Sequence, residues 1–332
     1  MLCKSLHRKQ RGLTFIELMV SIAVLIIISG LVTNLGPTMN FRARIETENR
    51  LKDLRNAVET AYREHAATVD ASENAEMDLG TLGKLSPTAN TAGAVCAATA
   101  TTFQPIARYG TRAASDMAED GHHRPLCLFI NPRASSVIDG VTVFYHSVAI
   151  VSAGTNGKLD TGTTLDADGN LVLGGDDKGL LFDGRKFALD RYRLTMDNLR
   201  KTADALRLYF RARYEGDPSR STSVDYFGCG AEACPPATAN PRWDAGNELP
   251  TTCLGAVSMV AATGTSIHTF LGLTQADVTD GYGTVFEFDN CVDTVRSPNN
   301  TTTTMQSPPY TAMVSTTLPG GDVLATSVVG EF

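Results

Sequence analysis

Two things that many functions require are missing or scarce in this chain. Its 332 residues contain no Gly-x-Ser-x-Gly elbow, no glycine-rich phosphate loop and no His-Glu-x-x-His pair. Serine hydrolysis, nucleoside-phosphate binding and zinc proteolysis therefore lack their usual carriers. Positive charge is also scarce, with 29 Lys and Arg against 36 Asp and Glu. Four of the basic residues (Lys4, Arg8, Lys9, Arg11) lie within the first twelve positions, leaving 25 for the rest of the chain. An acidic body of that kind argues against nucleic acid as a partner, because phosphate contacts need concentrated Lys and Arg. The single tryptophan, Trp243, is read as core.

What is present begins at the N-terminus. Residues 1–12 are short and basic, and residues 13–35 are apolar apart from one acid, Glu17. As a helix rising 1.5 Å per residue, that run would reach about 35 Å, enough for a hydrocarbon core of ~30 Å. The preceding Lys and Arg would hold the leader in the cytoplasm and send the remainder outward. A secretory signal would end in a small-residue cleavage site after its apolar core; here the run leads instead into a further helical pattern. An acid in a bilayer costs ~2.5–3.5 kcal/mol or more, so a plain anchor gives no reason for Glu17.

Gly12, an apolar residue, Thr14, Phe15 and Glu17, the fifth residue after Gly12, resemble the cleavage site of the type IV pilin and type II secretion pseudopilin superfamily. The resemblance implies cutting after Gly12 by a membrane-embedded prepilin peptidase and N-methylation of the new terminus, Leu13. It also implies a pairing of Glu17 with the Leu13 amine of a neighbouring subunit during assembly. The family more often has Phe where Leu13 stands. The partners implied are other pilins or pseudopilins, prepilin peptidase, the membrane and an inner-membrane assembly platform. The precursor would be a single-pass inner-membrane protein with its C-terminal part exported, and the mature subunit would reach a pilus at the cell surface or a periplasmic pseudopilus.

Beyond Gly36-Pro37, which loosens or kinks the helix, Leu51, Leu54, Val58, Ala61 and Tyr62 recur at helical spacing between charged residues. This predicts an amphipathic helix. Residues 67–110 read as loop. Strand patterns follow at 126–130, 141–146 and 148–151, then a glycine-rich turn over 152–160 and a hairpin over 165–173 turning at Asp168-Gly169-Asn170. From Asp190, the residues Tyr192, Met196, Leu199, Ala203, Leu206 and Phe210 predict a second amphipathic helix. Shifted by 148 positions it overlays the first: Leu51 on Leu199, Val58 on Leu206, Tyr62 on Phe210, Arg63 on Arg211. Downstream, a turn and strand over 280–288 and a strand with a glycine turn over 310–322 parallel the first half. The expected fold is α+β: a long N-terminal transmembrane and amphipathic helix with an antiparallel sheet head, then a second pilin-like helix-plus-sheet head. The divisions are leader 1–12, transmembrane stem 13–36, first head 37–189 and second head 190–332.

Six cysteines (Cys96, Cys127, Cys229, Cys234, Cys253, Cys291) follow the apolar run, an even set on the exported side that suits disulfides. Six permit fifteen pairings. Their order suggests Cys96–Cys127, Cys229–Cys234 and Cys253–Cys291, with some free buried thiols as the alternative. His122 and His123 with Cys127 make a poor metal set, since a disulfide is the better use of Cys127, and Cys229 with Cys234 lacks companion ligands for zinc. Asp160, Asp166, Asp168, Asp176 and Asp177 share one loop-rich stretch. Two readings stay open there: solvated Asp-Gly turns, or a calcium site with Asp160, Asp168, Asp176 and Asp177 as ligands, as some pseudopilins hold in a comparable loop. No other cofactor is expected. Function reads as structural: a minor pilin, sparse or at the tip, or else a type II secretion pseudopilin. A membrane-tethered enzyme is the reading from another class, and it lacks catalytic motifs.

Overall fold

The computed structural model describes residues 15–88, 94–220, 224, 226–227, 256–261, 266–289 and 311–330, and within the first helix the side chains of 17–26 and from 39 onward. Helix α1 spans Phe15–Ala71, with non-helical angles at His65 (φ −114°, ψ 18°). Pro37 lies inside its span. The region expected to be loop is more ordered than its Ala- and Thr-rich composition suggests. It holds the end of α1, the hairpin β1 (Met77–Asp78) and β2 (Lys84–Leu85), and the one-turn helix α2 (Ala100–Phe103), with a second one-turn helix, α3 (Ala114–Met117), just beyond it. Phe103 and Ile106 anchor it by complete burial, a tertiary cause that local pattern does not display.

The strands β3 (Cys127–Ile130), β4 (Ala134–Ile138), β5 (Val141–Tyr145) and β6 (Val148–Ser152) follow. The hairpin β7 (Thr164–Leu165) and β8 (Leu171–Val172) and then β9 (Lys178–Phe182) complete the first half. β3, β6 and β9 form an antiparallel sheet with β6 central. Side chains alternate along a strand, so Val148 and Ile150 meet Leu51, Leu54, Val58 and Tyr62 of α1. Ala149 and Val151 turn to the other face, where Cys96, Leu159, Leu165 and Leu171 cover them. Cys96 and Cys127 are joined by a disulfide. Cys229, Cys234, Cys253, Cys291 and Trp243 lie outside the described residues.

Helix α4 (Gly184–Gly216) starts six positions before the periodicity at Asp190 suggests, because Asp183 caps it by accepting the Lys186 N–H at 3.3 Å. After β10 (Val257–Ser258) and the short α5 (Ile267–Phe270) come β11 (Glu287–Asp289), β12 (Thr311–Thr317) and β13 (Val323–Val329), all antiparallel. Tyr192, Leu199, Leu206 and Phe210 pack on Phe288, Ala312, Val314 and Val328. The architecture is thus α+β, with an N-terminal helix and antiparallel sheets. The β4–β5 hairpin of the first half joins this second core through Val143 and Tyr145, and the Thr142 N–H donates to Asp322 at 3.0 Å.

One turn is built twice, nearly bond for bond. Asp120 Oδ1 accepts the N–H groups of His122 (2.8 Å) and Arg124 (3.0 Å), and Asp280 Oδ1 accepts those of Tyr282 and Thr284, both at 2.8 Å. The following glycine N–H donates to a helix threonine hydroxyl: Gly121 to Thr47 (3.0 Å) and Gly281 to Thr195 (2.9 Å). The second carboxylate oxygen accepts a hydroxyl from the central strand, Ser152 at 2.7 Å or Thr316 at 3.1 Å. Thr47 and Thr195 are 148 positions apart, the helix offset read from the sequence.

Candidate functional site: the apolar arm and the acidic loop

Helix α1 outruns its own core. Leu18, Met19, Val20, Ile22, Val24, Leu25 and Ile26 are all exposed, as are Met39, Phe41 and Ile45 further along. A helix apolar on every side is made to be surrounded, and an exposed apolar surface this large marks an interaction site. Glu17 stands in the first turn, and the Ser21 hydroxyl donates to its carbonyl at 2.7 Å. Gly12 and Leu13 lie outside the described residues. Among the described residues no helix is long and apolar enough to cross a membrane; the apolar run over 13–35 falls only partly among the described side chains.

The second feature is the acidic loop. Strand β9 pairs with β6 from Ser152↔Lys178 onward, and this returns residues 176–177 to the loop that leaves β6. Asp160, Asp176 and Asp177 each bring a carboxylate oxygen within 4.8 Å of the others. Asp168 is not among them. It sits in the β7–β8 turn, where its carbonyl accepts the Tyr145 hydroxyl, while Asp166 is held by the Asn170 N–H at 2.7 Å and side-chain amide at 2.9 Å. The sequence stretch therefore splits into a true cluster and an ordinary turn.

Inside the cluster, donors steer the acids. The Thr155 hydroxyl and N–H (2.7 Å) both donate to Asp176 Oδ2 and hold its carboxyl below the ordinary range, the hydroxyl contributing most. Asp160 Oδ2 accepts the Asp176 N–H at 2.9 Å, and Asp177 Oδ2 accepts the Asp160 N–H at 2.9 Å and the Thr163 hydroxyl at 2.6 Å. Asp177 is 5% exposed, and its Oδ1 is buried with no hydrogen-bond partner. A buried carboxylate oxygen left unpaired is costly, and three converging oxygen donors fit a hard cation such as calcium. Glycines make the crowding feasible: Gly154 (φ +54°) and Gly175 (φ +49°) stand where a Cβ would strike Asp176 and Asp160. His122 and His123 do not join a metal set: His123 Nδ1 lies 3.3 Å from Glu119 on the surface, and Cys127 is in the disulfide.

Sequence reasoning missed a buried polar joint between the halves. The Tyr62 hydroxyl donates to Asp70 and accepts the His146 N–H at 2.9 Å. His146 sets its two ring nitrogens 3.0 Å from the Asn131 and Ser72 carbonyls. Burial pushes the Asp70 carboxyl up to about 7, against the Tyr62 hydrogen bond and the attraction of Arg191. Arg191 donates from one Nη to the Gly281 carbonyl and from the other to that of Arg63, and lies 4.4 Å over the Phe187 ring. The available signal was Asp70 following Val69 on the buried side of a helix expected to have ended already.

Residues 7–33 match the prokaryotic N-terminal methylation motif. No curated protein and no solved structure matches the chain.

Proposed function

From the type IV pilin- or pseudopilin-type prepilin signal that this chain carries, we propose that it is a minor pilin of a type IV pilus, sparse in the shaft or placed at the tip. In this reading prepilin peptidase cuts between Gly12 and Leu13, Leu13 is methylated, and 13–36 anchors the precursor in the inner membrane before extraction into the filament. The exposed apolar arm ahead of the first core is the observation that carries it: such a surface needs first lipid and then other subunits around it. Glu17 pairs with a neighbour's Leu13 amine, which offsets the burial of both charges. The work of the chain is assembly rather than catalysis.

The twofold use of one Asp-Gly turn supports reading 37–189 and 190–332 as two pilin-like heads, the second without an apolar arm. A subunit so bulky suits a tip better than every position of a close-packed shaft. The acidic loop supports the second reading, a type II secretion pseudopilin, since a calcium ion held by Asp160, Asp176 and Asp177 would pin the loop to β9 as in some pseudopilins. Mass measurement of the N-terminus, with immunogold microscopy of intact cells, tests the proposal. The expected result is methylated Leu13 and label on filaments. An intact Met1 in assembled protein overturns it, and cleaved protein with no surface filament moves the assignment to the pseudopilus.

A further inference from the structure

The doubled turn also doubles the groove beside it. In the second half Phe187, Asp190, Arg191, Leu194 and Gly281 line a cavity of about 350 Å³. In the first half Met39, Arg42, Ala43, Glu46 and Gly121 line one of about 470 Å³. These are the same positions, the helix residues offset by 148 and the glycines by 160. The second-half groove is walled on one side by the first half. Its remaining wall is Arg63 of α1, whose carbonyl accepts a guanidinium bond from Arg191 two residues before the helix breaks at His65. One half therefore already sets this groove against the last turn of the other half's helix before its kink at His65.

We propose that the first-half groove receives the C-terminal end of the head helix of a neighbouring prepilin-type subunit. The inference rests on the pilin reading above and names the contact by which the subunit below is held. The differences between the two grooves fit an incoming partner. Ala43 replaces Arg191, so the floor is smaller and the cavity larger. His122 replaces Tyr282, which in the second half packs against both cores. Arg42 gives the rim a positive charge, while Glu46 is engaged by Arg50 at 2.9 Å and Arg112 at 2.8 Å. A helix C-terminus carries partial negative charge and unpaired carbonyls, which cations complement. Met39, exposed and lining the groove, supplies apolar contact.

The test uses the full-length protein in cells that assemble it, with a photo-crosslinking benzophenone residue at position 123, where the side chain is 78% exposed. Sheared filaments and membranes are analysed separately by crosslinked-peptide mass spectrometry. The expected product, in filaments, joins position 123 to the last turns of a head helix of a prepilin-type subunit. Arg42→Glu, which sets an acid against a helix C-terminus, should lower incorporation by about fivefold or more, with cleavage after Gly12 and membrane level unchanged; Arg42→Lys should restore it. Filament-located protein that crosslinks only to lipid, to no peptide, or away from a helix end overturns this proposal alone. Absence of cleaved protein from filaments overturns the pilin reading and this proposal together.

Discussion

A Cβ at Gly121 would lie 2.0 Å from the Ala43 carbonyl oxygen, and one at Gly281 would lie 2.3 Å from that of Arg191. Both neighbours are helix backbone and cannot swing aside as a flexible side chain does. Gly121→Ala and Gly281→Ala should each cost about 1–3 kcal/mol through forced backbone shifts, measured by urea unfolding of the detergent-solubilised chain; loss in only one of the pair would show that the two turns are not energetically equivalent. Asp70 offers the second residue-scale test. Its carboxyl is pushed up to about 7 by burial, whereas an unfolded chain titrates near the ordinary ~3.9. Between those values the folded state holds a proton that the unfolded state has released, so this group lowers stability as pH rises from about 4 to about 7. Above that window the penalty is constant, and below it the penalty vanishes. Asp70→Asn removes the titration, so its melting temperature relative to wild type should climb from pH 4.5 to pH 8. A constant difference across that range would mean that Asp70 stays ionised beside Tyr62 and Arg191.

Elements were legible where one helix or strand face alone decides burial. The spacing Leu51, Leu54, Val58, Tyr62 and its echo Leu199, Leu206, Phe210 gave both helices, and each of these residues is buried. Strands β5, β6 and β12 showed as runs rich in β-branched residues, and β3 as a short apolar run. Strands β4, β9 and β13 did not, because Ala134-Ser-Ser-Val-Ile138, Lys178-Gly-Leu-Leu-Phe182 and Val323–Val329 mix small or polar residues into positions fixed by pairing with a neighbour. The same non-locality governs the acidic loop. Its five aspartates were visible in sequence, but the register of β9 on β6 selects Asp160, Asp176 and Asp177 and leaves Asp166 and Asp168 in a turn. If the trio holds calcium, added metal should stabilise the chain by about 2.7 kcal/mol at a hundredfold excess over Kd, and a chelator should reverse it. Asp177→Asn, which neutralises the buried acid whose Oδ1 lacks a partner, should abolish that response. An unchanged melting curve with and without calcium would return the cluster to solvated turns.

At the scale of the whole molecule, the two ends of the chain answer to different environments. The halves from α1's Leu51 onward bury their own cores and are tied together by the β4–β5 hairpin, Arg191 and Tyr282. The arm over 15–36 is apolar, its described side chains are exposed, and its one acid, Glu17, stands in the first turn. Folding of the halves should therefore be indifferent to Glu17, and assembly should not. Glu17→Ala removes a charge whose burial in lipid costs ~2.5–3.5 kcal/mol, so insertion should persist or improve. Cleavage after Gly12 should persist too, because the basic leader and the glycine are untouched. Entry into the filament should fail, since the Leu13 amine of the adjoining subunit would be buried without its counter-charge, a loss of about 3–5 kcal/mol for a broken buried pair. The variant should accumulate in the inner membrane, cleaved and with Cys96–Cys127 intact. Glu17→Asp, with a shorter arm to the same amine, should recover part of the incorporation. Fractionation of sheared filaments against membranes reads each outcome, and wild-type incorporation of Glu17→Ala would show that the acid serves something other than the subunit contact.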